Sequence, residues 1–132
     1  MPGGDDAGAR AHVLVVEDDP DVRWAMGMAL EMAGYRVSTA ADKAQALERV
    51  RAERGIGILV VDYNLPNGER GTEVVSAARL VLGAGVAALL LTGDTSDAAS
   101  EAARASGVRL ARKPIELDEL LEILRGFGGG GG

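Results

Sequence analysis

Three apolar runs in this chain, Val13 to Val16, Ile58 to Val61 and Val86 to Leu91, show no alternation of apolar and polar side chains. Successive side chains of a strand point to opposite faces, so a run that is apolar throughout must be covered on both. Helices must therefore pack on either side of a sheet, and the segments between the runs carry apolar residues at helical spacing. That pattern restricts the chain to a layered α/β fold built on a parallel sheet.

The first helix is predicted to start near Pro20, with Asp19 as N-cap and proline in the first turn. Val22, Met26, Ala29 or Leu30, and Ala33 form its apolar stripe, and Gly34 ends it. Tyr35 to Thr39 reads as a second strand, followed by a helix capped by Asp42 and buried through Ala44, Leu47 and Val50. A third helix covers about Thr72 to Leu82, with Val74, Val75, Ala78 and Leu82 inward. Ser96 to Ala105 forms a fourth whose stripe is alanine alone, Ala98, Ala99, Ala102 and Ala105. It buries little apolar area and is expected to be the most loosely held, since stabilisation follows that area at about 25 cal/mol per Å². Val108 to Ala111 is the fifth strand, and Leu117, Leu120, Leu121 and Leu124 mark a last helix. Five βα units predict a doubly wound five-stranded parallel sheet in the order 2-1-3-4-5. The domain is expected over residues 12–125, between a disordered tail at 1–11 and a glycine-rich tail at 126–132.

Composition removes several classes of function. With 132 residues and 47% hydrophobic content the chain supports one domain with a core. It has no cysteine, which excludes disulfides, thiolate metal sites and a thiol nucleophile. The apolar runs fall far short of the roughly 20 residues that span a bilayer, and Met1 to Asp6 lacks the character of a signal peptide. A soluble, cytoplasmic protein without membrane contact is expected. A net charge of −6 argues against direct binding to nucleic acid, whose phosphates need clustered cations.

The apolar runs end on chemistry: Glu17 and Asp18 after the first, Asp62 after the second, Thr92 after the third, and Lys113-Pro114 after the fifth strand. Strand carboxyl ends share one edge of a parallel sheet, so these residues converge there. Two carboxylates about 4 Å apart at an effective dielectric near 20 repel by about 4 kcal/mol, so a cation is required among them. Oxygen donors favour Mg²⁺, with Mn²⁺ as a substitute. An aspartate can attack phosphorus when the phosphoryl oxygens are neutralised, and Asp62 suits that role because a flexible segment follows the strand it ends. Lys113 is one of two lysines beside twelve arginines, and a compact ammonium fits a crowded pocket better than a guanidinium. Pro114 fixes the chain direction beyond it, where a cis bond is open to the chain.

Taken singly, each signal has a plainer reading. Glu17-Asp18-Asp19 reads as a solvated turn with a helix cap, Asp62 as a loop cap, Thr92 as a strand-end hydroxyl and Lys113-Pro114 as turn chemistry. Their recurrence at strand ends, in this order, favours a site. His12 reads as the start of a strand, and Trp24 and Tyr35 as packing residues.

Over residues 12–125 these motifs resemble the receiver domain of two-component response regulators, a flavodoxin-like (βα)5 fold. The resemblance implies that Glu17 and Asp18 bind metal, that Asp62 accepts the phosphoryl group, that Thr92 is the switch hydroxyl and that Lys113 contacts phosphate. It further implies that the backbone carbonyl of Asn64 completes the metal site, and that Asn64 and Asp94 occupy positions that tune phosphoryl lifetime. The donor it implies is a histidine kinase or a histidine phosphotransfer domain, with no turnover of a released product. Output is expected to pass through a protein partner or a parent chain. Two features depart from the usual pattern: the loop Asp62 to Gly71 is one residue longer than the commonest form, and Leu110 stands where many receivers carry a switch Tyr or Phe. With Leu91 to Thr95 and Arg109 to Pro114, they resemble receivers at the C-terminus of hybrid sensor histidine kinases.

Three other readings compete. A flavodoxin-like cofactor domain needs a phosphate-cradling loop after the first strand, where this chain has Glu17-Asp18-Asp19-Pro20. A phosphatase with an aspartyl nucleophile expects a second acid where Asn64 stands. A receiver fold used only for docking would not need the acceptor pocket.

Overall fold

The three central strands of the sheet are apolar on both faces because each face has its own helices. The computed structural model describes residues 11–93 and 97–131. Strands β1 (His12–Val16), β2 (Arg36–Ala40), β3 (Ile56–Asp62), β4 (Ala87–Thr92) and β5 (Arg109–Arg112) pair in parallel in the order β2-β1-β3-β4-β5. They alternate with helices α1 (Pro20–Met32), α2 (Lys43–Ala52), α3 (Gly71–Leu82), α4 (Asp97–Ser106) and α5 (Leu117–Gly131). Leu14, Val16, Leu59, Val61 and Leu90 enter the core shared with α2, α3 and α4. Their neighbours Val13, Val15, Ile58, Val60 and Leu89 enter the core shared with α1 and α5.

Local signals set the helix starts. The Asp19 carboxylate accepts from the amides of Asp21 and Val22, and Asp42 accepts from Gln45. Gly34 leaves α1 at φ 99°, a conformation that favours glycine. At the start of α3 the amide of Arg70 donates to Glu73 at 3.2 Å.

The structure corrects several rotational assignments. Helix α2 buries Ala46 and Val50 with Leu47 half-buried, while Ala44 is exposed. In α4 the inward residues are Ala99 and Ala103 with Ala102 beside them, and Ala98 and Ala105 face outward. Where alanines lie on several sides of a helix, periodicity cannot choose among them, and the tilt on the sheet does. In α5 Leu117 is exposed and Ile123 takes an inward place with Leu120 and Leu124. That helix also continues past Gly126 to Gly131, beyond the expected start of the tail, with Phe127 packed against the core. Tyr35 is buried as expected, whereas Trp24 is 68% exposed and does not serve the core. Among the described residues no helix is long and apolar enough to cross a membrane.

Candidate functional site

Strands β1, β3 and β4 deliver Glu17, Asp62 and Thr92 to one edge of the sheet, and all three are buried there. Glu17 follows β1 directly, its amide still bonded to Ala40 of β2 at 3.0 Å. Lys113 follows β5 and is fixed by a 2.9 Å bond from its amide to the Thr92 carbonyl. Its bond to Pro114 is cis. The sequence-derived residues Glu17, Asp18, Asp62, Thr92 and Lys113 thus lie at one edge.

Lys113 bridges the two buried acids. Its Nζ donates to Glu17 Oε1 at 2.9 Å and to Asp62 Oδ2 at 3.1 Å. Burial opposes the charge of Lys113, but the hydrogen bonds to Glu17 and Asp62 and the attraction of both carboxylates outweigh it and hold the ammonium above its ordinary pKa. Carboxylate oxygens of Glu17, Asp18 and Asp62 all lie within 4.8 Å of one another, two buried and Asp18 exposed. Lys113 pairs with two of the three carboxylates, which leaves an excess of negative charge open to solvent on the Asp18 side. An all-oxygen donor set of this kind fits a hard divalent cation such as Mg²⁺.

The loop after Asp62 is closed on itself. Asn64 and Arg70 pair as an antiparallel bridge, with Leu65 N–H to Glu69 O at 3.0 Å and Gly71 N–H to Tyr63 O at 2.7 Å on either side. In this pairing the ladder bonds come from the neighbours, so the Asn64 carbonyl stays outside the ladder. The Asn64 amide donates to Asp62 Oδ1 at 3.3 Å. Asp94 lies outside the described residues. Leu110 is half-buried against the core beneath α4.

Three supporting residues were not singled out by the sequence. Arg23 donates from Nη1 to the carbonyls of Glu17 at 2.8 Å and Asp18 at 3.3 Å, tying the acidic turn to α1. The available signal was a cation in the first turn of a helix, where the macrodipole disfavours it. At Gly71 a Cβ would stand 2.5 Å from the Asp62 carbonyl oxygen and 2.8 Å from Leu90, so only glycine allows α3 to start against the end of β3. Arg70 donates to Asn64 Oδ1 at 2.7 Å, with its guanidinium 5.4 Å from the centre of the Tyr63 ring.

A doubly wound α/β domain with an acidic pocket at the carboxyl edge of β1 and β3 is the class this geometry defines. The response regulator receiver domain family matches residues 13–125, and the chain belongs to that family. Transcriptional regulatory protein KdpE of Mycobacterium tuberculosis is 35% identical over 113 residues, covering 86% of this chain and 49% of that protein. The chain thus spans about half the length of the first curated relatives it matches. Among solved structures, chemotaxis protein CheY4 of Vibrio cholerae superposes with a TM-score of 0.81 at 32% identity, covering 89% of this chain and 98% of that one. The receiver domain of hybrid histidine kinase CckA does so at 0.74 and 29%, with coverage of 89% and 98%.

Proposed function

We propose that Asp62 accepts a phosphoryl group from a phosphohistidine on a histidine kinase or histidine phosphotransfer domain, and that the phosphorylated domain is itself the signal. An Asp62 carboxylate oxygen attacks phosphorus as the bond from phosphorus to the donor imidazole nitrogen breaks, with the electron pair returning to the imidazole. The observation that carries this reading is the bridge from Lys113 to Glu17 and Asp62 beside a cluster with excess negative charge. Glu17, Asp18, Asp62 and the Asn64 carbonyl would hold Mg²⁺, which supplies charge neutralisation when bound. Lys113 stays protonated and neutralises a phosphoryl oxygen, and the Thr92 hydroxyl donates to another.

The readout follows from the weakest packing. Helix α4 meets the core through Ala99, Ala102 and Ala103 alone, so a small free-energy change at Thr92 shifts its position relative to β4 and β5. Leu110 cannot provide an aromatic rotamer switch, which leaves that shift to α4 and its neighbouring surface. The domain acts in the cytoplasm without steady turnover of a substrate, and its partner is a protein or the remainder of a parent chain, such as a hybrid sensor kinase.

The test is intact mass spectrometry after incubation with Mg²⁺ and a small phosphodonor, beside Asp62→Asn. A single phosphoryl adduct on the unmodified protein alone supports the proposal. No adduct from either the small donor or a phosphorylated kinase or phosphotransfer domain identifies a docking-only module and overturns it.

A further inference from the structure

The loop from Tyr63 to Gly71 folds back through the pairing of Asn64 with Arg70, around a turn closed by Glu69 N–H on Pro66 O at 3.3 Å. Its base is closed by Gly71 N–H on the Tyr63 carbonyl. Farther out, Glu69 ties the loop down twice. Its backbone carbonyl accepts from Leu65 N–H at 3.0 Å, and its carboxylate accepts from the amide of Lys43, 26 positions away, at 3.2 Å.

The first tie aims a carbonyl. Leu65 N–H and Asn64 C=O belong to one trans peptide unit, in which they point in opposite directions. With that N–H on Glu69, the Asn64 carbonyl faces away from the returning limb of the loop. An extended residue turns its own N–H and C=O to the same side, and the Asn64 N–H meets Asp62 Oδ1. The carbonyl therefore faces the side of the acidic cluster. The second tie fixes the loop to the frame of the domain. Lys43 opens α2, and the first amides of a helix have no partner within it. Asp42 serves the amide of Gln45 and the Gln45 side chain serves that of Ala41, whereas the acceptor for Lys43 comes from Glu69. A carboxylate is favoured at that end of a helix by the macrodipole.

We propose that Glu69 is a positioning residue for the divalent cation: its side chain anchors the loop on α2, so that the Asn64 carbonyl is presented to Glu17, Asp18 and Asp62 in one fixed place. The inference rests on the reading of that cluster as a Mg²⁺ site. Without the carboxylate the loop is held at its base alone, and ordering the carbonyl then costs affinity when the ion binds. The test is the Mg²⁺ dissociation constant, taken from the rise in urea-unfolding free energy over a series of Mg²⁺ concentrations, for the unmodified protein, Glu69→Ala, Glu69→Gln and Gln45→Ala. Glu69→Ala is expected to raise the constant about 10-fold, the low end of the range for losing a group that orients a metal ligand. Glu69→Gln keeps an acceptor oxygen and is expected to recover most of the affinity. Gln45→Ala removes a bond at the same helix start without touching the loop, and is expected to lower stability in the absence of metal while leaving the constant unchanged. An unchanged constant in Glu69→Ala, or an equal rise in Gln45→Ala, reduces Glu69 to a helix cap and overturns the inference with the metal site intact. No Mg²⁺-dependent stabilisation of the unmodified protein overturns the site itself, and the inference with it.

Discussion

At the start of β1, His12 joins Ser38 and Glu53 in a network that satisfies itself; at its end, Glu17 meets Asp18 and Asp62, and the one ammonium there pairs with only two of the three carboxylates. In the first cluster the Ser38 hydroxyl donates to Glu53 Oε1, so the His12 Nε2–H donates to Ser38 Oγ at 2.8 Å. Arg49 lies 3.4 Å from the other Glu53 oxygen and balances its charge. Burial, then Arg36, lowers the His12 pKa against the pull of Glu53, and the Ser38 hydrogen bond leads the effects that lower that of Glu53. Every donor there has its acceptor, and the cluster holds β1, β2 and the end of α2 together. The second cluster is left with charge to be neutralised from outside. A polar network built for stability closes its own account of charge; the one at the carboxyl edge does not, as the proposed uptake of a cation and a phosphoryl group requires.

The largest expected effect tests the unbalanced end. Lys113→Ala is expected to slow phosphoryl uptake at Asp62 by about 100-fold or more, the usual consequence of losing one positioned donor to a developing anion. The time course of the intact-mass adduct measures it, and uptake within a few-fold of the unmodified rate would show that the two ends are more alike than their charges suggest.

Metal should separate them next. Mg²⁺ at about 100 times its dissociation constant is expected to stabilise the protein by about 2.7 kcal/mol, and to add far less once Asp18 and Asp62 are both changed to Asn. Urea denaturation with and without Mg²⁺ reads this directly. An equal gain in both proteins would place the ion elsewhere.

Removing one acid from each end should give opposite signs. Asp62→Asn without metal relieves like-charge crowding and is expected to stabilise by about 1 kcal/mol. Glu53→Gln weakens a charge-assisted bond to Ser38 and is expected to destabilise by about 1 kcal/mol. Changes of the same sign in urea would break the comparison.

The smallest expected effects are in pH. His12 is depressed in the folded state, so the unfolded chain binds the proton first as pH falls below about 6.5, and stability declines from there. Glu53 is depressed too, and its contribution, present above the ordinary carboxylate range, is lost as pH falls through its folded value. Lys113 is raised, so its contribution is complete below the ordinary lysine value and lost as pH rises through the folded one. Thermal melts should therefore show His12→Gln flattening the limb below about pH 6.5, with the alkaline limb unchanged. A flattened alkaline limb instead would assign the titration to the wrong end.

Much of the acidic pocket was legible because its residues are chemically unlike their surroundings. Glu17, Asp62 and Thr92 interrupt apolar runs, and Lys113 is one of two lysines, so type and place agree. His12 gave no such signal. Its partners lie 26 and 41 positions away, and only the pairing of β1 with β2 and the end of α2 brings them together. Arg70 and Gly71 were hidden for a related reason: a loop's composition does not reveal that it folds back to pair Asn64 with Arg70. Leu117 and Ala44 misled because the rotation of a helix about its axis is set by the sheet it packs on.

The sequence by itself determined which segments become buried parallel strands and which residues stand at their carboxyl ends, because strand burial and turn chemistry act over a few neighbouring residues. The tertiary structure decided which alanines face inward, how Lys113 divides itself between Glu17 and Asp62, and which atom of Asn64 Arg70 occupies. Those outcomes depend on distances between elements far apart in the chain, and such distances exist only once the two layers of helices have closed on the sheet.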